Sequence, residues 1–164
     1  MRANAFNGSL ELNGYWGHHQ APVLAQLHGQ AFAMRAERAW SRQEFEALLA
    51  QKNIYTFAPV LKPDGFILLQ SLPDGAEILT LAVQPAARRQ GLARALLAHA
   101  FDALGAPKLW LEVAQDNAPA RALYAANGFR ITGRRSKYYK RAGNLAVDAL
   151  LMERDIQEGK SDEH

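Results

Sequence analysis

The sequence predicts a single α/β domain of α+β character, a central mixed and mostly antiparallel sheet flanked by helices. Three observations predict it. The chain has 164 residues, a length that one hydrophobic core can organise. Its apolar fraction of 49% and charged fraction of 21% are those of an ordinary globular protein. Short β-like runs gather around two Pro-Asp-Gly turns, Pro63-Asp64-Gly65 and Pro73-Asp74-Gly75, while helical spacing dominates on either side.

The elements follow in order. Pro22 suits the first turn of a helix, and Val23, Leu24, Leu27 and Ala31 continue it at helical spacing. Ser41-Arg42-Gln43-Glu44 reads as a capping box, with Phe45, Leu48 and Leu49 as the buried stripe behind it. Ile54 to Val60, Phe66 to Leu72 and Glu77 to Val83 are β-like, and the two turns make them an antiparallel meander. After Pro85, Leu92, Leu96, Leu97, Phe101 and Leu104 mark a helix stopped by Gly105, with Pro107 beyond it. Leu109 to Ala114 is a strand with Leu109, Leu111 and Val113 on one face and Trp110 and Glu112 on the other. A helix begins near Pro119 and ends at Asn127-Gly128. Ile131 to Lys140 and Leu145 to Met152 close the domain as a hairpin around Ala142-Gly143-Asn144. Residues 1–20 match no element, and the acidic segment after Asp155 is expected to fray. Neither repeats nor a linker interrupt the chain, so residues 1–164 read as one domain.

Composition excludes several chemistries. With no cysteine there is no disulfide scaffold, no thiolate zinc site and no Cys-borne acyl intermediate. None of the five serines lies in Gly-x-Ser-x-Gly, which disfavours a serine acyltransferase or hydrolase. No run approaches the 18 apolar residues of a membrane-spanning helix, and the first residues lack the apolar stretch of a signal peptide. A cytoplasmic location, with no membrane partner, is the expectation.

The net charge of +3 conceals a segregation. Residues 1–83 carry a net −1, residues 84–141 a net +8 and residues 142–164 a net −4. A basic middle third suits an anionic partner, either a nucleic acid or a phosphate-rich cofactor, and equally a solvated basic face.

Two motifs could carry chemistry. Arg88-Arg89-Gln90-Gly91-Leu92-Ala93 lies between a strand and a helix. There Gly91 permits close approach to the backbone, and the first-turn N–H groups with the helix dipole make an anion site. Arg88, Arg89 and Arg94 add full charges beside it. A surface turn of this composition would read the same. The second motif is Glu112 in its apolar strand, then Asn117, Leu123-Tyr124 and Gly128-Phe129. A carboxylate at that position either pairs or moves a proton, because burying it unpaired is costly. A tyrosine, with a pKa of about 10, can protonate a departing thiolate. A rim glutamate and a core tyrosine would leave the same trace.

In combination, the strand ending Val83-Gln84-Pro85, the Arg/Gln-x-x-Gly-x-Ala loop, the long helix and the Glu112…Asn117…Tyr124…Gly128-Phe129 series resemble the GNAT superfamily of acetyl-CoA-dependent N-acetyltransferases. Leu109-Trp110-Leu111-Glu112-Val113, with Arg134-Arg135 and Tyr138-Tyr139, is similar to the RimI type, which acetylates the N-terminal alanine of a small-subunit ribosomal protein. The resemblance is dense over residues 81–152 and covers residues 21–80 in layout, where Ala31-Phe32 and Trp40-Ser41 agree.

The resemblance implies a GNAT-type sheet and acetyl-CoA as co-substrate. Leu81, Ala82 and Val83 would offer backbone groups to the pantetheine arm, and Arg88, Arg89, Gln90, Gly91, Leu92, Ala93 and Arg94 would cradle the pyrophosphate. Asn117 would also contact the cofactor. Glu112 would be the proton acceptor, Tyr124 the proton donor beside the cofactor, and Tyr138 would line the peptide groove. Two positions depart from the pattern. Ala93 stands for the last glycine of the loop, a tolerated change. Ala114-Gln115-Asp116 stands where RimI-type proteins often carry Arg-x-Ser, in a loop flanking the acceptor.

The implied chemistry is coherent. Deprotonating a peptide α-amine at neutral pH costs roughly 1 kcal/mol, against about 4.6 kcal/mol for lysine. One glutamate acting through a water is an adequate base for an N-terminus. A strand-end N–H from Leu81 or Val83 can hold developing negative charge on oxygen. Glu77 is the competing base, expected to sit too near its turn. An acceptor protein N-terminus is the expected partner, of a monomer or weak dimer. A small amine, a lysine side chain, or a non-catalytic acyl-CoA-binding role are the alternatives.

The run Arg134 to Arg141 could bind single-stranded nucleic acid, line a peptide groove or form a solvated hairpin edge; nucleic acid ranks last. Simple alternation there sets Arg135, Lys137 and Tyr139 opposite Ser136, Tyr138 and Lys140, so that only one set faces a ligand. His18-His19 lacks a carboxylate at helical spacing and His99 sits inside a helix, so no metal is expected.

Overall fold

The computed structural model describes residues 17–33, 37–60 and 62–155. Most of the unplaced N-terminal arm, and the acidic segment expected to fray, lie outside the described residues.

Helix α1 (Ala21–Phe32) has Pro22 in its first turn and buries Ala21, Leu24, Leu27, His28 and Ala31. Helix α2 (Arg42–Leu49) starts at the expected capping box. The Glu44 N–H donates to Ser41 Oγ at 3.2 Å, and the Ser41 N–H donates to Glu44 Oε2 at 2.6 Å. Such a cap stabilises the helix by about 1 kcal/mol. Strand β1 (Ile54–Phe57) is shorter than the β-like run from which it is read, because Pro59 has no N–H for the ladder. Strands β2 (Gly65–Leu72) and β3 (Gly75–Val83) complete the antiparallel meander.

Helix α3 (Leu92–Leu104) ends at Gly105, whose φ of +55° places it in the left-handed conformation that stops helices. It returns the chain to β4 (Lys108–Ala114), which lies parallel to β3. Helix α4 (Ala118–Ala126) leads to β5 (Arg130–Lys140), and a short turn at Ala142–Asn144 reverses the chain into β6 (Ala146–Asp155). The sheet order is β1-β2-β3-β4-β6-β5, with β3–β4 the parallel pair and the other neighbours antiparallel. No helix among the described residues is long and apolar enough to cross a membrane.

Helices cover both faces of the sheet. On one face, Leu92, Leu96 and Leu97 of α3 and Tyr124 of α4 pack on Ile78, Leu109, Leu111, Val113 and Leu150. On the other, Leu24, Leu27 and Ala31 of α1 and Phe45 of α2 pack on Phe66, Leu68 and Ala82.

Of the three ladder irregularities among the described strands, one lies between Ile131 and Gly133 of β5 and two others shape the cleft; hydrophobic alternation announces none of them. In β3, Leu68 faces Thr80 but Leu69 faces Ile78, so Leu79 is an extra residue. A bulge of this kind bends and twists its strand. Past it β3 leaves β4, since their pairing is confined to Ala76–Leu109, Glu77–Trp110 and Ile78–Leu111. In β5, Arg135 faces Ala149 and Tyr139 faces Val147, with Lys137 at φ +52° in between. Asp148 steadies this kink by accepting from the Lys137 N–H at 2.8 Å and from Arg134 at 3.1 Å. The kink overturns the simple alternation expected for residues 135–140, because the side-chain faces slip across it.

Candidate active site

The divergence of β3 and β4 opens a cleft of about 1040 Å³, walled by Leu79–Val83 on one side and by Leu111–Ala114 on the other. Beyond Ile78, the edge of β3 facing β4 is not committed to the ladder. Backbone polar groups on such an edge need partners, and an extended ligand can supply them. Leu81, Ala82 and Val83 all line the cleft. The Val83 carbonyl already accepts from Arg88 Nε at 3.2 Å.

The loop from β3 to α3 sits at one end. Arg89 (φ +62°) and Gly91 (φ +82°) both adopt the left-handed conformation. For Arg89 that is an unfavourable backbone state, held by the tight entry into α3. Arg89 and Ala93 line the cleft, whereas Gln90, Gly91, Leu92 and Arg94 do not. Leu92 buries its side chain in the core, so only its backbone could address a ligand. Arg88 lines the cleft but is tied down, donating to the Ala31 carbonyl at 2.7 Å as well as to Val83. It clamps the loop to α1 instead of presenting a loose charge.

Glu112 and Tyr124 line the same cleft. Glu112 is on the β4 face with Trp110, and its Oε1 forms an ion pair with Arg135 at 2.9 Å. Tyr124 is buried on α4, with its ring edge-on to Phe129 at 5.6 Å. Asn117 caps α4 by accepting from the Ala120 N–H at 3.3 Å, and this holds it at the cleft wall. Glu77 faces Trp110 across the ladder and does not line the cleft. Burial pushes its carboxyl above the usual range, nearby Glu112 adds to the rise, and Arg135 opposes it.

The far wall holds residues that the motif reading missed. His28 is buried, stacked on Phe32 (4.3 Å) and on Trp40 (5.1 Å), and its Nδ1 accepts from the Trp40 N–H at 3.1 Å. Burial pulls this imidazole down to about 4. A polar residue on the inner stripe of α1, next to Leu24, Leu27 and Ala31, was its signal in the sequence. Arg141 gathers three segments: it donates to Asp116 at 2.8 and 2.9 Å, lies 3.6 Å from Glu37 and covers the Tyr139 ring at 5.6 Å. Burial, with Glu37 and Glu112 nearby, drives the Tyr139 hydroxyl up to about 12, so it stays protonated. Tyr138, Tyr139, Lys140 and Arg141 all reach the cleft, which the β5 kink makes possible. Tyr138 stays half exposed under Arg135, whose guanidinium lies 5.1 Å from its ring.

The cleft therefore joins an uncommitted strand edge, a basic helix entry, a carboxylate and a tyrosine. That set can hold an extended anionic ligand and move protons beside it.

Comparison with known proteins gives the same assembly a relation. The family described as Acetyltransferase (GNAT) family matches residues 22–129. The [ribosomal protein bS18]-alanine N-acetyltransferase of Escherichia coli strain K12 is 36% identical over 117 residues, covering 69% of this chain and 78% of that protein. Uncharacterized protein ML0378 of Mycobacterium leprae is 36% identical over 139 residues; the match takes in 81% of this chain but only 37% of that longer protein. The crystal structure of the ribosomal-protein-S18-alanine N-acetyltransferase from Escherichia coli superposes with a TM-score of 0.80 at 29% identity, over 96% of this chain and 99% of that one.

Proposed function

Because the chain belongs to the GNAT family of acetyltransferases, we propose that it transfers acetyl from acetyl-CoA to a peptide N-terminal α-amine, that of an alanine-starting small-subunit ribosomal protein. The observation that carries this reading is the presence of Glu112 and Tyr124 in one cleft, where β3 parts from β4. The co-substrate supplies an activated acetyl thioester. The residues present fit it: an uncommitted β3 edge for an extended amide-bearing arm, and the α3 entry with Arg89 for a diphosphate.

In this reading Glu112 takes the amine proton, directly or through a water, with Arg135 fixing one carboxylate oxygen so that the other is free to act. Tyr124 donates a proton to the departing thiolate. A backbone N–H of Leu81 or Val83 steadies charge that develops on the carbonyl oxygen. Leu81, Ala82, Val83, Asn117 and the 88–94 loop hold the co-substrate, and Tyr138 lines the acceptor groove. Direct transfer without an acyl-enzyme suits a chain with no cysteine. An α-amine is the easier acceptor, being far closer than lysine to neutrality at pH 7. The same reading makes the protein a cytoplasmic single-domain enzyme, monomeric or weakly dimeric.

The test is CoA release from acetyl-CoA with an alanine-starting ribosomal hexapeptide, compared with the same peptide N-terminally blocked and carrying an internal lysine. Turnover on the free terminus alone is expected. Turnover on the blocked peptide, or on neither, overturns the N-terminal assignment.

A further inference from the structure

We propose that His28 is a specificity residue of the acceptor groove, its Nε2–H donating a hydrogen bond to a backbone carbonyl of the acceptor peptide. The proposal rests on the N-terminal acetyltransferase reading and names a residue that the motifs do not.

The geometry begins with burial. His28 is 2% exposed, on the inner stripe of a helix whose other buried residues are Ala21, Leu24, Leu27 and Ala31. A buried polar ring destabilises the fold unless both nitrogens find partners. One does: Nδ1 accepts from the backbone N–H of Trp40 at 3.1 Å. In a neutral imidazole that bond places the proton on Nε2, which is then a donor. The one hydrogen bond described for the ring is that of Nδ1. Nε2 is not among the fully enclosed polar atoms that lack a partner, and His28 lines the cleft, where a ligand can meet it.

The donor is also held still. Phe32 stacks on His28 at 4.3 Å and 20°, Trp40 at 5.1 Å and 21°, and Phe45 meets it edge-on at 5.7 Å. A ring fixed in this way loses little freedom on binding. Burial keeps it uncharged at neutral pH. An uncharged fixed donor suits an amide carbonyl, while Arg89 offers the cleft a charge for anions. The wall carrying His28 continues through Glu37 and Trp40 and closes on Arg141, which also holds Asp116 and covers Tyr139. That closure is where a peptide passing Tyr138 and Tyr139 would run.

The experiment is calorimetric binding of the alanine-starting hexapeptide to the CoA-loaded full chain, for the wild type and for His28→Phe. The variant keeps an aromatic ring but has no donor. The expected result is an about tenfold weaker peptide Kd, with the Kd of acetyl-CoA unchanged. Equal peptide affinity overturns the proposal. A loss confined to acetyl-CoA would put the hydrogen bond on a pantetheine amide, and overturns it too. A second arm alters the peptide. A thioamide at the first or second peptide bond, a weaker acceptor, should cost the wild type several-fold in affinity and cost His28→Phe nothing. An unaltered wild-type Kd with both thioamides overturns the proposal even if His28→Phe does not fold. A wild-type protein that binds no such peptide overturns the functional reading, and this inference falls with it.

Discussion

Arg135 forms an ion pair with Glu112 Oε1 at 2.9 Å across the whole width of β6, where Ala149, fully buried, stands opposite Arg135. The ion pair ties the kinked strand β5 to the carboxylate in the cleft. Arg135 also opposes the upward shift that burial and Glu112 impose on Glu77. The arrangement gives Glu112 a fixed orientation and leaves Glu77 outside the cleft wall.

The first prediction follows from that contrast. Glu112→Gln keeps the side chain's shape and gives up only an ion pair whose arginine is half exposed, so its thermal midpoint should stay close to that of the wild type. Its kcat should fall about 100-fold or more, the usual scale for losing a positioned base. Glu77→Gln should stay within about twofold of the wild type. Steady-state CoA release by both variants decides it, and the reverse ranking would move the base to Glu77.

Tyr124→Phe is the companion substitution. The tyrosine is buried against Phe129, so phenylalanine fills the same space and stability should change by no more than about 1 kcal/mol. If its hydroxyl protonates the leaving thiolate, kcat should drop about 10- to 100-fold. Paired turnover and acetyl-CoA titrations check this. A variant with normal kcat would reduce Tyr124 to a packing residue.

Arg141 joins loop, strand and helix connection, yet its partners differ in exposure. Its own side chain is 13% exposed, while that of Asp116 is 47% exposed. Solvent therefore screens the pair from one side, and Arg141→Ala should destabilise by only about 1–2 kcal/mol. For a domain of this size the thermal midpoint should drop by about 3–6 °C. Asp116→Asn should lose less, because Glu37 remains near the guanidinium. Thermal melts of both variants test the ranking, and an unchanged midpoint for Arg141→Ala would make the network ornamental.

How much of this was legible beforehand depended on range. The Ser41–Glu44 box, the Pro-Asp-Gly turns and the Gly105 stop are local chemistry, so the element order could be read from neighbouring residues. The bulge at Leu79 could not: Leu79, Thr80 and Leu81 look like any apolar strand, and the extra residue shows only against β2. The Lys137 kink is fixed by Asp148, eleven residues away. Alternation therefore gave the wrong faces for residues 135–140. Glu112 and Tyr124 were visible as a spaced pair, but Arg135 was read as part of a basic run and of the RimI-type pattern, not as the carboxylate's partner. His28 and Arg141 depend on contacts with distant segments, Trp40 in one case and Asp116 in the other.

The buried imidazole has a consequence for stability that needs no substrate. His28 titrates at about 4 in the folded protein against an ordinary 6.5, mainly through burial. Of the charges facing it, Glu44 opposes the shift and Arg38 adds slightly to it. Between these two pH values the unfolded chain binds a proton that the folded chain refuses, so stability rises with pH across the window and falls on acidification. The full effect, reached near pH 4, is on the order of 3 kcal/mol. Glu44 acts in a lower window. Arg38 and the Ser41 backbone hold its carboxyl near 2, so its contribution is lost only as pH falls from 4.5 toward 2. Urea unfolding at pH 7, 5.5 and 4.5 should therefore show a loss in the wild type that His28→Phe largely lacks, whatever the absolute stability of the variant. Parallel curves for the two proteins would mean that His28 takes up its proton as readily in the folded as in the unfolded chain, and that the Trp40 N–H does not hold its Nδ1.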